Sequence, residues 1–231
     1  MANHMIIQAD EWQDLLQRAR AAANGDEQGA GDENIVVAAL AEHMSAPIRA
    51  SLTCTMGDIG VFIRLTLVDD RVLLVVDPIA AADEEVTVSP EVQLIFANIS
   101  EMWAILSSAL PPIDCLRART TQLRGAAPEE LNLTVEERDT FFDQEQANLQ
   151  VIVEAWDEDT KLVQWGNWWS VVDDHLYSIS TVERQLVIRA WQPGAVALVF
   201  RQTMVGAFDV VGALASQNDV VSESVGDGVA A

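Results

Sequence analysis

The chain has 231 residues, half of them hydrophobic, and its 36 acidic side chains against 13 basic ones give a formal net charge of -23. A chain of this length and apolar content can bury a core of its own. Nucleic acid and anionic membranes bind through Lys and Arg side chains that neutralise phosphates, so the charge argues against both as partners. No signal peptide opens the sequence, and no apolar run approaches the roughly 20 residues that cross a bilayer, so we expect a cytoplasmic protein without membrane insertion.

In chain order, the first half is predicted to form a strand, two helices, an antiparallel meander, and a strand followed by a helix. Asp10 can N-cap the first helix, with Gln13 completing a capping box, and Pro47 ends the second helix. Runs rich in β-branched residues and separated by turns then predict strands. The predicted elements are a strand at 5–8, helices from 10 and at 34–44, strands at 48–55, 59–68, 71–76 and 92–97, and a helix from 100 to 110.

The second half is predicted to repeat the order of helix, meander, strand and helix. Thr134 and Glu137 form a capping box, and the helix that they open is predicted to continue through Leu149 and Val153 to Trp156. The remaining predicted elements are strands at 162–172, 175–181, 185–191 and 196–201, a helix at 204–215, and a flexible tail at 216–231.

One internal similarity supports a duplication. The segment 92–110 can be laid without gaps on 196–214, with identical residues at Val92, Leu94, Phe96, Ala109 and Leu110. The alternative is two unrelated strand–helix units. From the repeated order of elements we predict an α+β fold, with one domain at 1–215 made of two similar halves, about 1–126 and 127–215. The halves are expected to pack around a pseudo-twofold axis and share one central antiparallel sheet.

The sequence offers no motif for catalysis, metal binding or a cofactor. The histidines His4, His43 and His175 are not spaced as metal ligands, and no phosphate-binding glycine loop or nucleophile elbow occurs. His175 is predicted to lie in an exposed turn, and His43 near a helix end, where an imidazolium suits the helix dipole. Cys54 is read as a small core residue; it could pair with Cys115, although a core of this size needs no disulfide. We therefore predict a protein that is not an enzyme.

Tryptophan is the most informative residue type in the second half. Trp165, Trp168 and Trp169 fall within five positions of a predicted strand. Adjacent strand residues point to opposite faces of a sheet, so Trp168 and Trp169 cannot enter the same core. Either helices cover the sheet on both faces, or one indole is exposed and can anchor a partner protein.

Several passages together resemble the EspG family, the cytosolic chaperones of actinobacterial type VII (ESX) secretion. The opening MIIQADEWQDLL, the helix–proline–strand passage VAALAEHMSAPIRASLT and the strand–helix VQLIFANISEMWAILSSALPP carry the resemblance, together with the C-terminal VALVFRQTMVGAFDVVGALA. The preference for Arg over Lys and the abundance of Ala and Val agree with an actinobacterial source. The resemblance extends over most of the chain.

The resemblance implies a pseudo-symmetric α+β fold and a chaperone that binds a helical PE/PPE-like substrate of type VII secretion. In that family the loop between the second and third strands and part of the central sheet touch the substrate, which here implies Met56, Gly57 and Asp58 beside the tryptophans. This turn is short for the family and the chain is unusually acidic. A homodimer stays open, as do two other functions: a small-molecule enzyme with a dispersed acidic site, motivated by the surplus of carboxylates, and an acidic inhibitor that imitates DNA.

Overall fold

The structure, a computed structural model, describes residues 3–25, 33–82, 85–119 and 128–226. The helices are α1 (Ala9–Ala23), α2 (Glu33–Met44), α3 (Met102–Ala109), α4 (Asp114–Arg117), α5 (Val135–Asp143) and α6 (Ala195–Gly226). The strands are β1 (Asn3–Gln8), β2 (Ile48–Met56), β3 (Ile59–Val68), β4 (Arg71–Ala82), β5 (Glu85–Val88), β6 (Glu91–Asn98), β7 (Glu129–Leu131), β8 (Glu145–Asp157), β9 (Thr160–Val172), β10 (His175–Val182) and β11 (Gln185–Trp191).

All strands of the described residues belong to one antiparallel sheet, ordered β1-β6-β4-β3-β2-β8-β9-β10-β11-β7, with β5 attached to β4. The middle of this order is the β2–β8 pair, where Leu52 lies opposite Val151. Reading outward from that pair gives β3, β4, β6 and β1 on one side and β9, β10, β11 and β7 on the other. Apart from β5, the two sides have the same order of strands, and the α+β fold around a central antiparallel sheet is confirmed.

The sheet has two unlike faces. On the front face, α1 and α2 pack on the apolar side chains of β4 and β6, and Phe141 of α5 packs on β9 and β11. On the back face, α3, α4 and the first part of α6 cover the centre of the sheet. Fully buried leucines of β2, β3 and β4 form the floor of that back core, namely Leu52, Leu65, Leu67 and Leu74.

The predicted helix running to Trp156 is wrong beyond Asp143, because the chain from Glu145 to Asp157 is strand β8. Alternate residues of β8 are buried, which is the period of a strand and not of a helix. The apolar residues also happen to recur at three and four positions, and that spacing misled the helix prediction. The buried side chains are Ala147, Leu149, Val151, Val153 and Ala155.

The predicted strand at 196–201 is also wrong, since α6 already begins at Ala195. Buried residues recur at helical spacing through Val196, Phe200, Met204 and Ala207. The gap-free alignment of 92–110 with 196–214 therefore places a strand on a helix. The strand that takes the place of β6 on the other side of the sheet is β11, so the two sides share an order of strands but not that residue register.

Helix α6 differs from expectation in two further respects. It continues to Gly226, past the predicted end near Ala215, and residues 227–231 lie outside the described part. Its segment Ala195–Leu214 has a mean hydropathy of 1.4 and is long and apolar enough to cross a membrane, contrary to the expectation that no apolar run approaches this length. The buried stripe of α6 packs on the sheet, as in the core helix of a globular domain.

Of the two predicted helix caps, the structure confirms the one at Thr134 and not the one at Asp10. Thr134 caps α5 as predicted, with Glu137 bonding back to its backbone N–H at 2.7 Å. The first helix instead begins one residue before Asp10: Gln8 is the N-cap, and its backbone N–H donates to Glu11 at 3.3 Å.

Candidate functional site

The centre of the front face is a strip of sheet that no helix of the described residues covers. It lies on β2, β8 and β9, between α1–α2 on one side and α5 on the other. In the sheet register Thr53 pairs with Gln150 and Gln150 with Trp168, while in the next row Ser51 pairs with Ile152 and Ile152 with Gly166. We call these side chains the open strip: Ser51, Thr53, Gln150, Ile152, Gly166 and Trp168.

The three clustered tryptophans separate as the pleat of β9 requires. Trp169 is 2% exposed in the back core, packed edge-to-face on Trp191 at 5.6 Å between ring centroids. Trp165 points to the same face and is half-buried, with its ring beside Gly206 of α6. Trp168 is on the front face and 48% exposed. The alternative in which helices cover both faces is therefore wrong at Trp168, and one indole is exposed.

The open strip is flat on the β9 side because of a glycine. A Cβ added to Gly166 would meet no heavy atom within 4 Å, so the space above it is empty. Ile152, directly across on β8, is half-buried. Gly166 thus leaves Trp168 and Ile152 accessible from the side, a feature that sequence reasoning missed, although the glycine between Trp165 and Trp168 was visible.

The predicted contact turn joins β2 to β3, at one end of the open strip. Gly57, with a φ of 56°, and Asp58 are exposed between β2 and β3. Met56 is half-buried and packs toward the back core. The row that contains Thr53 and Trp168 lies close to this end of the strip. The structure brings the turn and Trp168 to one end of the sheet and leaves Trp165 and Trp169 on the other face.

An ion pair fixes the border between α1 and the open strip. Nη2 of Arg64 on β3 donates to Oδ2 of Asp77 on β4 at 2.6 Å, and Asp77 is 7% exposed. The guanidinium also lies over the rings of Trp12 in α1 and Phe62, at 5.9 and 5.8 Å from their centroids. Arg64 therefore ties the buried Trp12 to the sheet and places a cation at the edge of the strip.

His43 is a packed, neutral part of the α2–sheet interface. It is 4% exposed, its Nδ1 lies 3.0 Å from Oγ1 of Thr66, and its ring meets the edge of Phe96. Burial lowers the pKa of its imidazole from 6.5 to about 4, opposed in part by the nearby Glu42. The expectation of a structural histidine agrees with this environment, whereas the expectation of a charged imidazolium is wrong.

The remaining reactive side chains have structural surroundings. Cys54 and Cys115 are both buried and free, and desolvation raises the pKa of the Cys54 thiol to about 12. His175 is exposed at the start of β10, next to the tight turn that Asp173 and Asp174 make with positive φ, as predicted. Within the described ranges, no three His, Cys, Asp or Glu side chains are grouped so that they could hold a metal ion.

Comparison with solved structures identifies the fold. The chain is similar to the Mycobacterium tuberculosis type VII secretion system chaperone EspG5, solved in complex with a PE25–PPE41 dimer, over 84% of this chain and 93% of that chain, with a TM-score of 0.51 and 10% sequence identity. A CurJ dehydratase superposes with a TM-score of only 0.16, which does not indicate a shared fold. No family model and no curated protein matches the sequence. The protein therefore has the EspG-like α+β fold.

Proposed function

We propose that this protein is a cytosolic, non-enzymatic chaperone or adaptor of type VII secretion that binds a helical, PE/PPE-like substrate on its open strip. The observation that carries the proposal is the uncovered centre of the front face, with Trp168 exposed on it. Membership of the EspG family is part of the same proposal. It is supported by the shared fold and by the quoted sequence passages.

The dimensions of the strip suit a helix. Neighbouring strands lie about 4.8 Å apart, so the two steps from β2 to β9 span roughly 10 Å. An α-helix with its side chains is about 10–12 Å across, and a helix packs on a sheet at about the same distance. One helix of a partner, or the edge of a two-helix hairpin, can therefore lie between α1 and α5.

The chemistry of the strip suits a protein that must release its client. Ser51, Thr53 and Gln150 offer hydrogen bonds, and Trp168 offers one large apolar anchor. An interface with one aromatic anchor residue and a polar rim can be specific without burying a large apolar surface. The net charge of -23 keeps the chaperone soluble while the client covers the strip.

Co-purification and calorimetry with PE–PPE heterodimers from the same genome test the proposal. Trp168→Ala removes the anchor, and Gly166→Trp fills the empty space above β9. We expect wild-type protein to form a complex on size exclusion, Trp168→Ala to weaken it at least about tenfold, and Gly166→Trp to abolish it.

Two matched controls come from the back surface. Phe208→Ala truncates an aromatic residue of α6 that is 38% exposed, and Gly212→Trp adds an indole where a Cβ also has open space. Both should bind like wild type. Absence of any complex with wild-type protein would contradict the proposed client class. Equal loss in the two control variants would contradict the assignment of the open strip.

A further inference from the structure

A cavity on the back surface, remote from the open strip, lies between α3 and α6 and has a volume of about 300 Å³. Its walls are apolar: Met102 and Trp103 of α3 face Phe200 and Met204 of α6. Three of these side chains are less than 9% exposed, and the rings of Trp103 and Phe200 lie 6.3 Å apart. Natural ligand sites begin at roughly this volume and are apolar with a few polar groups, so the cavity is of the right kind to hold a small ligand.

The charged side chains that line the cavity, among the described residues, are all positive. Arg119 and Arg201, both exposed, line its rim, and no aspartate or glutamate of the described residues lines it. The whole chain carries only 13 basic residues against 36 acidic ones, so two arginines without a lining carboxylate are a local reversal of the charge. Among the described residues neither guanidinium is joined to a carboxylate in a salt bridge.

A third donor belongs to the same wall. Nε1 of Trp103 is buried and has no hydrogen-bond partner in the described residues. A buried indole N–H without an acceptor is costly, and a ligand oxygen would relieve that cost. Ser100 adds a hydroxyl to the lining.

We propose that the α3–α6 cavity binds a medium-chain alkyl carboxylate, with the alkyl chain against the wall that Trp103 and Phe200 form together and the carboxylate at the arginines of the rim. An apolar interior requires an apolar body, and two guanidinium groups select a single anionic head. The cavity volume favours a chain of medium length over a long one. The exposed Val205, which also lines the cavity, lies at the mouth where such a chain enters.

Isothermal titration calorimetry with decanoate, and with 1-decanol as its uncharged counterpart, tests this site on the full chain. The negative net charge of the protein repels the decanoate anion and has no such effect on uncharged decanol. Tighter binding of decanoate is therefore expected only if the rim arginines act locally. Arg119→Gln and Arg201→Gln should each weaken decanoate binding by about fivefold and leave decanol binding unchanged.

Two further variants separate this site from general effects. Arg20→Gln, which makes the same charge change at an exposed residue of α1, should bind decanoate like wild type. Val205→Trp places an indole at the mouth and should weaken both ligands, with circular dichroism confirming an intact fold. Absence of decanoate binding, equal binding of decanol, or equal weakening by Arg20→Gln would each overturn the proposal.

Discussion

His43 makes the stability of the protein depend on pH between about 6.5 and 4. The folded imidazole has a pKa of about 4 because it is desolvated between α2 and β3, whereas the unfolded chain has the ordinary value of 6.5. As pH falls below 6.5, the unfolded chain takes up the proton first, which favours unfolding. The stabilisation is therefore fully present above pH 6.5 and is lost as pH falls toward 4.

The size of the effect follows from the two pKa values. Between pH 7 and pH 5 the free energy of unfolding should fall by about 2 kcal/mol from this group alone. His43→Gln keeps a side chain that can bond to Thr66 and removes the titration. Urea denaturation followed by tryptophan fluorescence at the two pH values measures both proteins. The carboxylates titrate equally in both, so their contribution cancels in the difference.

We expect wild type to lose about 2 kcal/mol more than His43→Gln over this interval. Parallel losses in the two proteins would refute a buried neutral imidazole. A larger loss in His43→Gln would refute the sign of the pKa shift.

Three further predictions concern the fold around the candidate site. Arg64→Ala should destabilise the protein by about 3 kcal/mol in denaturant titrations, because it leaves the buried carboxylate of Asp77 unpaired. Asp77→Ala leaves a half-exposed guanidinium and should cost about 1 kcal/mol. Equal costs in the two variants would contradict the difference in burial between the two side chains. Gly60→Ala should lower the melting temperature, since its Cβ would lie 2.8 Å from the backbone oxygen of Cys54, while Gly212→Ala in helix α6 should not lower it. The Cys54 thiol, buried and with a raised pKa, should react with Ellman's reagent only after denaturant is added, and rapid reaction of the native protein would contradict its burial.

The strands of the meander could be predicted because their signals are local. In β3 every second residue is buried and a turn stands at each end, so sequence and structure agree on Ile59–Val68. Strand β11 was predicted with the same bounds, Gln185–Trp191. In these elements the spacing of apolar side chains and the residues of the flanking turns both predict a strand with the same bounds.

The errors fall where tertiary context decides the structure. The run from Val196 to Phe200 is apolar at every position, which suits a buried strand and a buried helix equally. Strand β8 is central, between β9, which follows it along the chain, and β2, which is distant in sequence, so its conformation depends in part on a partner that the local sequence does not show.

The candidate site could be predicted only in part. Adjacent residues of a strand lie on opposite faces, so Trp168 and Trp169 had to lie on opposite faces of the sheet. This rule does not determine which of the two indoles the helices cover. That outcome depends on the placement of α5 and α6 around the sheet. The α3–α6 cavity has no sequence signal, because Arg119 and Arg201 come together only when their elements pack.

Photo-crosslinking tests the central claim most directly. A benzoylphenylalanine introduced at Gly166 lies on the open strip, and the same residue introduced at Gly212 lies on the back surface. We expect irradiation with a bound PE–PPE heterodimer to give a cross-linked product from position 166 and none from position 212. Cross-links from position 212 alone would show that the client binds the helical back surface and would contradict this account.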